Sequence, residues 1–301
     1  MPAVHLTNES RGVTWTLDLD RDALLPGQLT KARVHLEVGK DIEARGLVAA
    51  LIATEQWQFR QRQGSGKNSR TVTVTEHEEL RRVPVMLLGP TNLKAGEVRD
   101  FDFEMPVPPL GPASLDATVS ALAWTLELKL DVPGGRDSSI VIPIRVLQPT
   151  ALLRAGVVRV GQFALFGAAE SATDGAKGTL ELDPVPLCVG KPFTGRLTIE
   201  TDKAQKVQEI RVEIRVKVTS TVPSGLEEEV TAWAGQVLGE AELPAGTRTI
   251  ELAGELPPRD LPTIELPHGK TAATVHLILA RAWKRDPHVV RDVAVCSTTE
   301  L

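Results

Sequence analysis

The chain repeats itself, and the repeat constrains the fold more than any other feature. A shift that carries Gly27 onto Gly190 also carries Arg33-Val34-His35-Leu36-Glu37 onto Arg196-Leu197-Thr198-Ile199-Glu200. It sets Leu47, Ala49 and Leu51 on Ile210, Val212 and Ile214 without a gap. Further along, Leu93-Lys94-Ala95-Gly96 matches Leu243-Pro244-Ala245-Gly246, and Met105-Pro106 matches Leu256-Pro257. Each half therefore runs glycine turn, alternating strand, loop, long strand, hairpin, turn, strand, proline bend, strand. A duplicated chain of 301 residues is long enough for two domains with separate cores.

Within each half, apolar residues recur at period two. Val13, Trp15, Leu17 and Leu19 alternate with Thr14, Thr16 and Asp18. Trp124, Leu126, Leu128 and Leu130 alternate with Thr125, Glu127 and Lys129, and Ile210 to Val218 alternates with Arg211, Glu213, Arg215 and Lys217. Such strands turn one face to a core and the other to water, as antiparallel sheets do. About seven or eight strand candidates fall in each half, the number a sandwich of this size needs. The expected fold is all-β: two tandem immunoglobulin-like antiparallel β-sandwich domains at 1–148 and 187–301, joined by a short linker at 149–186. Inside that interval the apolar residues of 150–170 lack clean alternation and fit a short helix, a strand or an apolar strap. Residues 171–178 read as a polar loop. The run Leu47 to Ala53 is apolar on both faces, so both faces should be covered. The linker, the other domain or a partner chain is expected over Val48 and Ile52, with simple intramolecular burial as the plainer reading.

The net charge of −5 disfavours a dedicated nucleic-acid binder, which needs a clustered cationic surface. Tyrosine is absent and aromatics are 4%, which leaves few stacking platforms for sugars or single strands. Two cysteines, Cys188 and Cys296, do not make a disulfide framework. They read as two reduced structural thiols, with a bridge between them as the alternative. The N-terminal residues carry no basic start and no apolar stretch of the signal-peptide kind. No aliphatic run is long enough to be a transmembrane segment. The expected location is cytoplasmic.

The order of elements resembles the arrestin fold. Arrestin-like domains begin with a Pro-Gly turn and an alternating strand, here Pro26-Gly27 through Val38, followed by a long strand, here Gly46 to Phe59, and a hairpin loop. An L-x-A-G turn, an aromatic-bearing strand and a proline bend come next: Leu93 to Gly96, Phe101 to Pro106, and Pro108-Pro109-Leu110. A strand with an aromatic, Ala123-Trp124-Thr125-Leu126, and a closing strand, Ile140 to Leu147, complete the set. The second half repeats it with Val189-Gly190, Leu243 to Gly246, Leu256-Pro257-Pro258 and Leu261-Pro262. In style the chain is similar to the bacterial sporulation-control type and to α-arrestins. The resemblance implies tandem arrestin-like sandwiches and a regulatory, non-catalytic role. It departs from α-arrestins in lacking a P-P-x-Y motif, so their ubiquitin-ligase adaptor role does not carry over. It also ends a few residues past its last strand candidate, Val289 to Cys296.

Catalytic patterns are missing from the sequence. The loop Gln61 to Arg70 holds Gly66-Lys67, but a P-loop needs glycine where Gln61 stands and Ser or Thr where Asn68 stands. It also needs a following helix, whereas Thr71-Val72-Thr73-Val74-Thr75 reads as a strand. His77 lies in Glu-His-Glu-Glu, not in a zinc motif, and His268, His276 and His288 show no ligand spacing. No G-x-S-x-G elbow occurs. No enzyme activity, no cofactor and no metal are expected.

The same loop is the candidate binding site. Arg60, Arg62, Lys67 and Arg70 make it cationic in an acidic chain, and the resemblance puts it where arrestins carry a receptor-engaging finger loop. Mobile loops on rigid sandwiches often carry recognition. The equivalent loop in the second half, Pro223 to Glu229, is acidic. The expected function is an adaptor or scaffold that binds a protein partner through loops or strand edges. The alternative is a self-assembling structural protein, a homo-oligomer joined through complementary basic and acidic ends.

Overall fold

The alternating residues are buried where the pattern puts them. Val13, Trp15, Leu17 and Leu19 are at most 1% exposed, while Thr14, Thr16 and Asp18 between them reach solvent. A computed structural model describes residues 4–65, 68–151, 169–173, 176–280 and 288–299. Strands in the first half are β1 (Val4–Ser10), β2 (Val13–Leu19), β3 (Ala23–Leu24), β4 (Leu29–Val38), β5 (Ile42–Ala44) and β6 (Gly46–Gln63). They continue as β7 (Arg70–Leu88), β8 (Thr91–Leu93), β9 (Val98–Pro106), β10 (Ser120–Asp131) and β11 (Ser138–Val146). The second half holds β12 (Ala169–Thr173), β13 (Ala176–Asp183), β14 (Leu187–Cys188), β15 (Pro192–Thr201), β16 (Gln205–Val207) and β17 (Glu209–Ser220). It ends with β18 (Glu227–Leu238), β19 (Ala241–Leu243), β20 (Gly246–Glu255), β21 (Gly269–Ala280), β22 (His288–Val293) and β23 (Val295–Cys296). The chain is all-β.

The two halves share one topology. Sheet β1-β2-β4-β9 has its counterpart in β12-β13-β15-β20, and the pair β5-β8 in β16-β19. Sheet β7-β6-β10-β11-β3 is matched by β18-β17-β21-β22 with the separate pair β14-β23. Gly27 and Gly190 both take positive φ, 80° and 65°, the backbone their turns require. Their N–H groups close the same bond, to the carbonyls of Val107 and Leu256. That bond and the pairs Leu29–Pro106 and Pro192–Glu255 set Val107-Pro108 against Leu256-Pro257. The match of Met105-Pro106 to Leu256-Pro257 is therefore two residues out of register, because the strand ladder and not the proline decides it.

The interval 149–186, expected as a linker with a polar loop, carries β12 and β13. β13 pairs along its length with β15, and Leu180 and Leu182 alternate into the core between Thr179 and Glu181. The apolar residues Leu152 to Phe166 lie outside the described residues. The Leu47–Ala53 strand is covered on both faces within the chain: Ala50 is 3% and Ile52 7% exposed, and Val48 is half-buried.

The chain divides into two compact units. Unit 1 is Met1–Gln56, Glu76–Ser114 and Ala121–Leu147; unit 2 is Trp57–Thr75, Leu115–Ser120 and Gln148–Leu301. In unit 1 the facing sheets are joined through Trp15, whose Nε1 donates to Ser138 Oγ at 3.1 Å, and Ser138 donates on to the Ser10 carbonyl. Buried indole N–H groups need such partners, and Trp124 finds its own in the Pro112 carbonyl at 2.9 Å. In unit 2 the Phe193 ring meets Trp233 edge-on at 5.0 Å. Gly254 makes room for that pair, since a Cβ there would stand 2.6 Å from both rings.

Cys188 and Cys296 are bonded to each other, not reduced. They sit opposite one another in the parallel pair β14–β23, with Cα atoms 4.8 Å apart. The disulfide arises because β14 and β23, far apart in sequence, lie side by side, a long-range neighbourhood that cysteine spacing cannot reveal. The first half closes the same seam without a bond, through Leu24 beside Val146 in the pair β3–β11.

A charged row marks the outward face of β17. Where the first half has Gly46, Val48, Ala50 and Ile52, the second has Glu209, Arg211, Glu213 and Arg215. Glu213 is 9% exposed and is bonded by Arg211 Nε at 2.8 Å and Arg215 Nη2 at 2.5 Å. Burial pushes its carboxyl pKa up, and the two guanidiniums more than offset that, holding it below the usual carboxylate range. A depressed carboxylate stabilises the fold above its unfolded-state pKa, and that contribution is lost as pH falls through the folded value. Glu213→Gln is expected to cost about 2 kcal/mol at neutral pH, as loss of charged hydrogen bonds does. Urea midpoints measured along a pH series should show the gap to wild type closing below about pH 4.

Candidate functional site

The β6–β7 hairpin has a fixed root and an exposed end. Its root belongs to unit 2. The Trp57 ring, 6% exposed, stacks on His268 at 3.9 Å with the planes 15° apart. A short antiparallel ladder continues outward. Leu226 N–H donates to the Gln58 carbonyl at 3.2 Å, Phe59 bridges Gly225, and Arg60 N–H donates to the Ser224 carbonyl at 2.9 Å. On its other side Gln58 N–H reaches the Val119 carbonyl at 2.9 Å. Ser224 holds φ at 59°, which turns the chain tightly enough for Gly225 to meet β6.

Residues 60–65, Asn68 and Arg70 of the hairpin are solvent-exposed. Arg60 and Arg62 lie in the outer end of β6, and Arg70 opens β7. Arg62 Nε donates to Ser69 Oγ at 2.8 Å, which ties the two limbs together near the tip. Gly64, at φ 87°, begins the turn, and Asn68 N–H bonds the Ser65 carbonyl at 3.3 Å. The structure brings Arg60, Arg62 and Arg70 onto one hairpin; Lys67 lies outside the described residues.

The acidic loop of the second half is occupied within the chain. Glu227 pairs with Lys217 at 2.7 Å and Glu229 with Arg215 at 3.0 Å. The Glu228 carboxylate accepts from Thr118 N–H at 2.7 Å. Neither Trp57 nor His268 carries a sequence signal that marks it as part of the site, and Ser224 to Leu226 stand out in the sequence only as part of the acidic loop Pro223 to Glu229. Trp57 is in phase with Leu51 and Ala53 and reads as one more core residue. A backbone ladder between distant segments has no side-chain signature.

An open hollow of about 580 Å³ lies on the outer face of unit 1, lined by Lys31, Arg33, Asp102 and Glu104 among others. Its central charges are spent on each other, since Arg33 holds Asp102 by two bonds of 2.7 and 2.9 Å. Among the described residues, no three His, Cys, Asp or Glu side chains are grouped to hold a metal. Nor, among them, is any helix long and apolar enough to cross a membrane. Comparison with protein-family models and with curated proteins returns no match to this chain.

Proposed function

We propose that the chain is a non-catalytic adaptor, two arrestin-like β-sandwich repeats that present the β6–β7 hairpin to a protein partner. The observation that supports this reading is the contrast along the hairpin. Its root is held by the Trp57–His268 stack and three backbone contacts, and its outer part carries exposed Arg60, Arg62 and Arg70 in an acidic chain. A rigid base under an exposed charged tip is how loops on sandwiches recognise partners, and the cations select an acidic surface. The arrestin resemblance adds a regulatory role of the sporulation-control or stress-control kind. The alternative, self-assembly through basic and acidic ends, has less to draw on, because Glu227, Glu228 and Glu229 are already engaged within unit 2. The Cys188–Cys296 bond favours an oxidising compartment over the cytoplasm expected from the sequence.

The test changes Arg60, Arg62, Lys67 and Arg70 together to Ser. A protein captured from native lysate by wild type is purified and titrated against both forms. The quadruple variant is expected to lose at least about tenfold in affinity, with wild-type binding weakening as salt rises. Equal affinity of the two forms removes the hairpin tip from the interface.

A further inference from the structure

β7 is a sheet edge whose charge pattern complements itself. It lies outermost in its five-stranded sheet, with β6 on one side and, among the described residues, no strand on the other. Glu76 to Glu79, Arg81 and Arg82 are all exposed, and Leu80 is half-buried. An open edge of 19 residues is a ready template for another chain unless it is guarded. Charges guard an edge when like meets like. Here the order Glu78-Glu79-Leu80-Arg81-Arg82 does the opposite. Laid antiparallel on a second copy about Leu80, it sets each Glu78 against the other copy's Arg82 and each Glu79 against its Arg81. Leu80 meets Leu80. Four opposite-charge pairs form and no like-charge pair does. Shifting the register by one residue in either direction leaves two such pairs, and shifting it by two sets Glu79 on Glu79 or Arg81 on Arg81.

We propose that this chain forms a two-fold dimer by antiparallel pairing of β7 with β7 of a second copy, centred on Leu80. The occupant is a second copy because complementarity this regular, of a segment to its own reverse, selects that partner. A two-fold contact must be self-complementary, and this edge is. Directly opposed unlike charges in a sheet are favourable and like charges unfavourable. Pro84, with no N–H to give, falls opposite Glu76 and limits the ladder on each side. In the single chain Arg82 is held by Glu79 and Glu127. Pairing moves it from Glu79 to the second copy's Glu78, which exchanges an interaction within its own chain for this one, while Glu127 stays on the same sheet. The equivalent edge of the second half cannot do this. β18 begins Glu227-Glu228-Glu229, and that segment carries no cation to set against them in a second copy. The inference stands apart from the hairpin-tip reading, since it uses none of Arg60, Arg62, Lys67 and Arg70.

Sedimentation of wild type over a wide concentration range, with two charge-reversal variants, tests it. One variant carries Arg81→Glu and Arg82→Glu, the other Glu78→Arg and Glu79→Arg. Wild type is expected to double its mass at high concentration and to do so less readily at high salt. Each variant alone should stay monomeric, and an equimolar mixture of the two should regain the doubled mass as a mixed dimer. Circular dichroism identical to wild type establishes that the variants fold. With both native cysteines in a disulfide, Leu80→Cys supplies a single free thiol, and mild oxidation should link two copies through it. A wild type that remains monomeric overturns the proposal and makes the edge a guarded one or one that serves another chain. A dimer untouched by either reversal, or a mixture that fails to reassociate, overturns it as well.

Discussion

Removing the Cys188–Cys296 bond by changing both residues to Ala is expected to lower stability by about 4–5 kcal/mol, the entropy a closed loop of roughly 100 residues withholds from the unfolded chain. The two cysteines are 108 residues apart, so the loop encloses every strand from β15 to β22. The fold itself should survive. Leu187 N–H still bonds the Ala294 carbonyl at 2.9 Å, and Val189 N–H the Cys296 carbonyl at 3.0 Å. The first half closes the same parallel seam with Leu24 and Val146 and no sulfur at all. Urea unfolding read by tryptophan fluorescence gives the loss. Reductant should move the wild-type midpoint toward that of the double variant and leave the variant unchanged. Thiol titration of the denatured chain decides the premise: no free thiol agrees with the bond, and two free thiols contradict it.

Most of the architecture was legible because it rests on local pattern. Trp15, Leu17 and Leu19 alternate with polar residues, and a strand with that pattern has one face to bury whatever it pairs with. The duplication was legible because Gly27 and Gly190 share a backbone that few other residues adopt. Leu93 and Leu243 match for a reason of packing, both buried opposite the equivalent residues Ile42 and Gln205. What was misread depended on long-range register. The strands at 169–173 and 176–183 look like part of a linker in sequence because Ser171 to Gly178 is polar and carries two glycines. Gly178 is there because a Cβ would stand 2.9 Å from Leu277, and that neighbour is a hundred residues away. The disulfide failed for the same reason. At the site, charge and glycine content located the hairpin tip, whereas the root escaped notice. Its contacts are backbone groups of Gln58, Arg60, Ser224 and Leu226, whose side chains carry none of the information.

The Trp57→Ala change is expected to cost about 3–5 kcal/mol, the range for emptying a buried tryptophan site, and to free the hairpin root. The ring is 6% exposed, and its face lies on the imidazole of His268. Without it the antiparallel contacts of Gln58, Phe59 and Arg60 with Ser224 to Leu226 lose the packing beneath them. Two backbone hydrogen bonds do not hold a ladder against chain entropy unaided. Hydrogen exchange should therefore rise at the amides of Gln58, Arg60 and Leu226, while the Val34 and Leu36 amides of β4, in unit 1, keep their protection. Trp57→Phe should restore part of that protection, since a smaller ring still stacks. Unchanged exchange at all three amides in the Ala variant would mean that the ladder stands without the stack. For recognition the consequence is separable from charge. The Ala variant keeps Arg60, Arg62 and Arg70, so a cationic tip alone would leave partner affinity near wild type. A tip that works because its base is rigid would lose affinity with every charge in place, through the ordering cost that returns at binding.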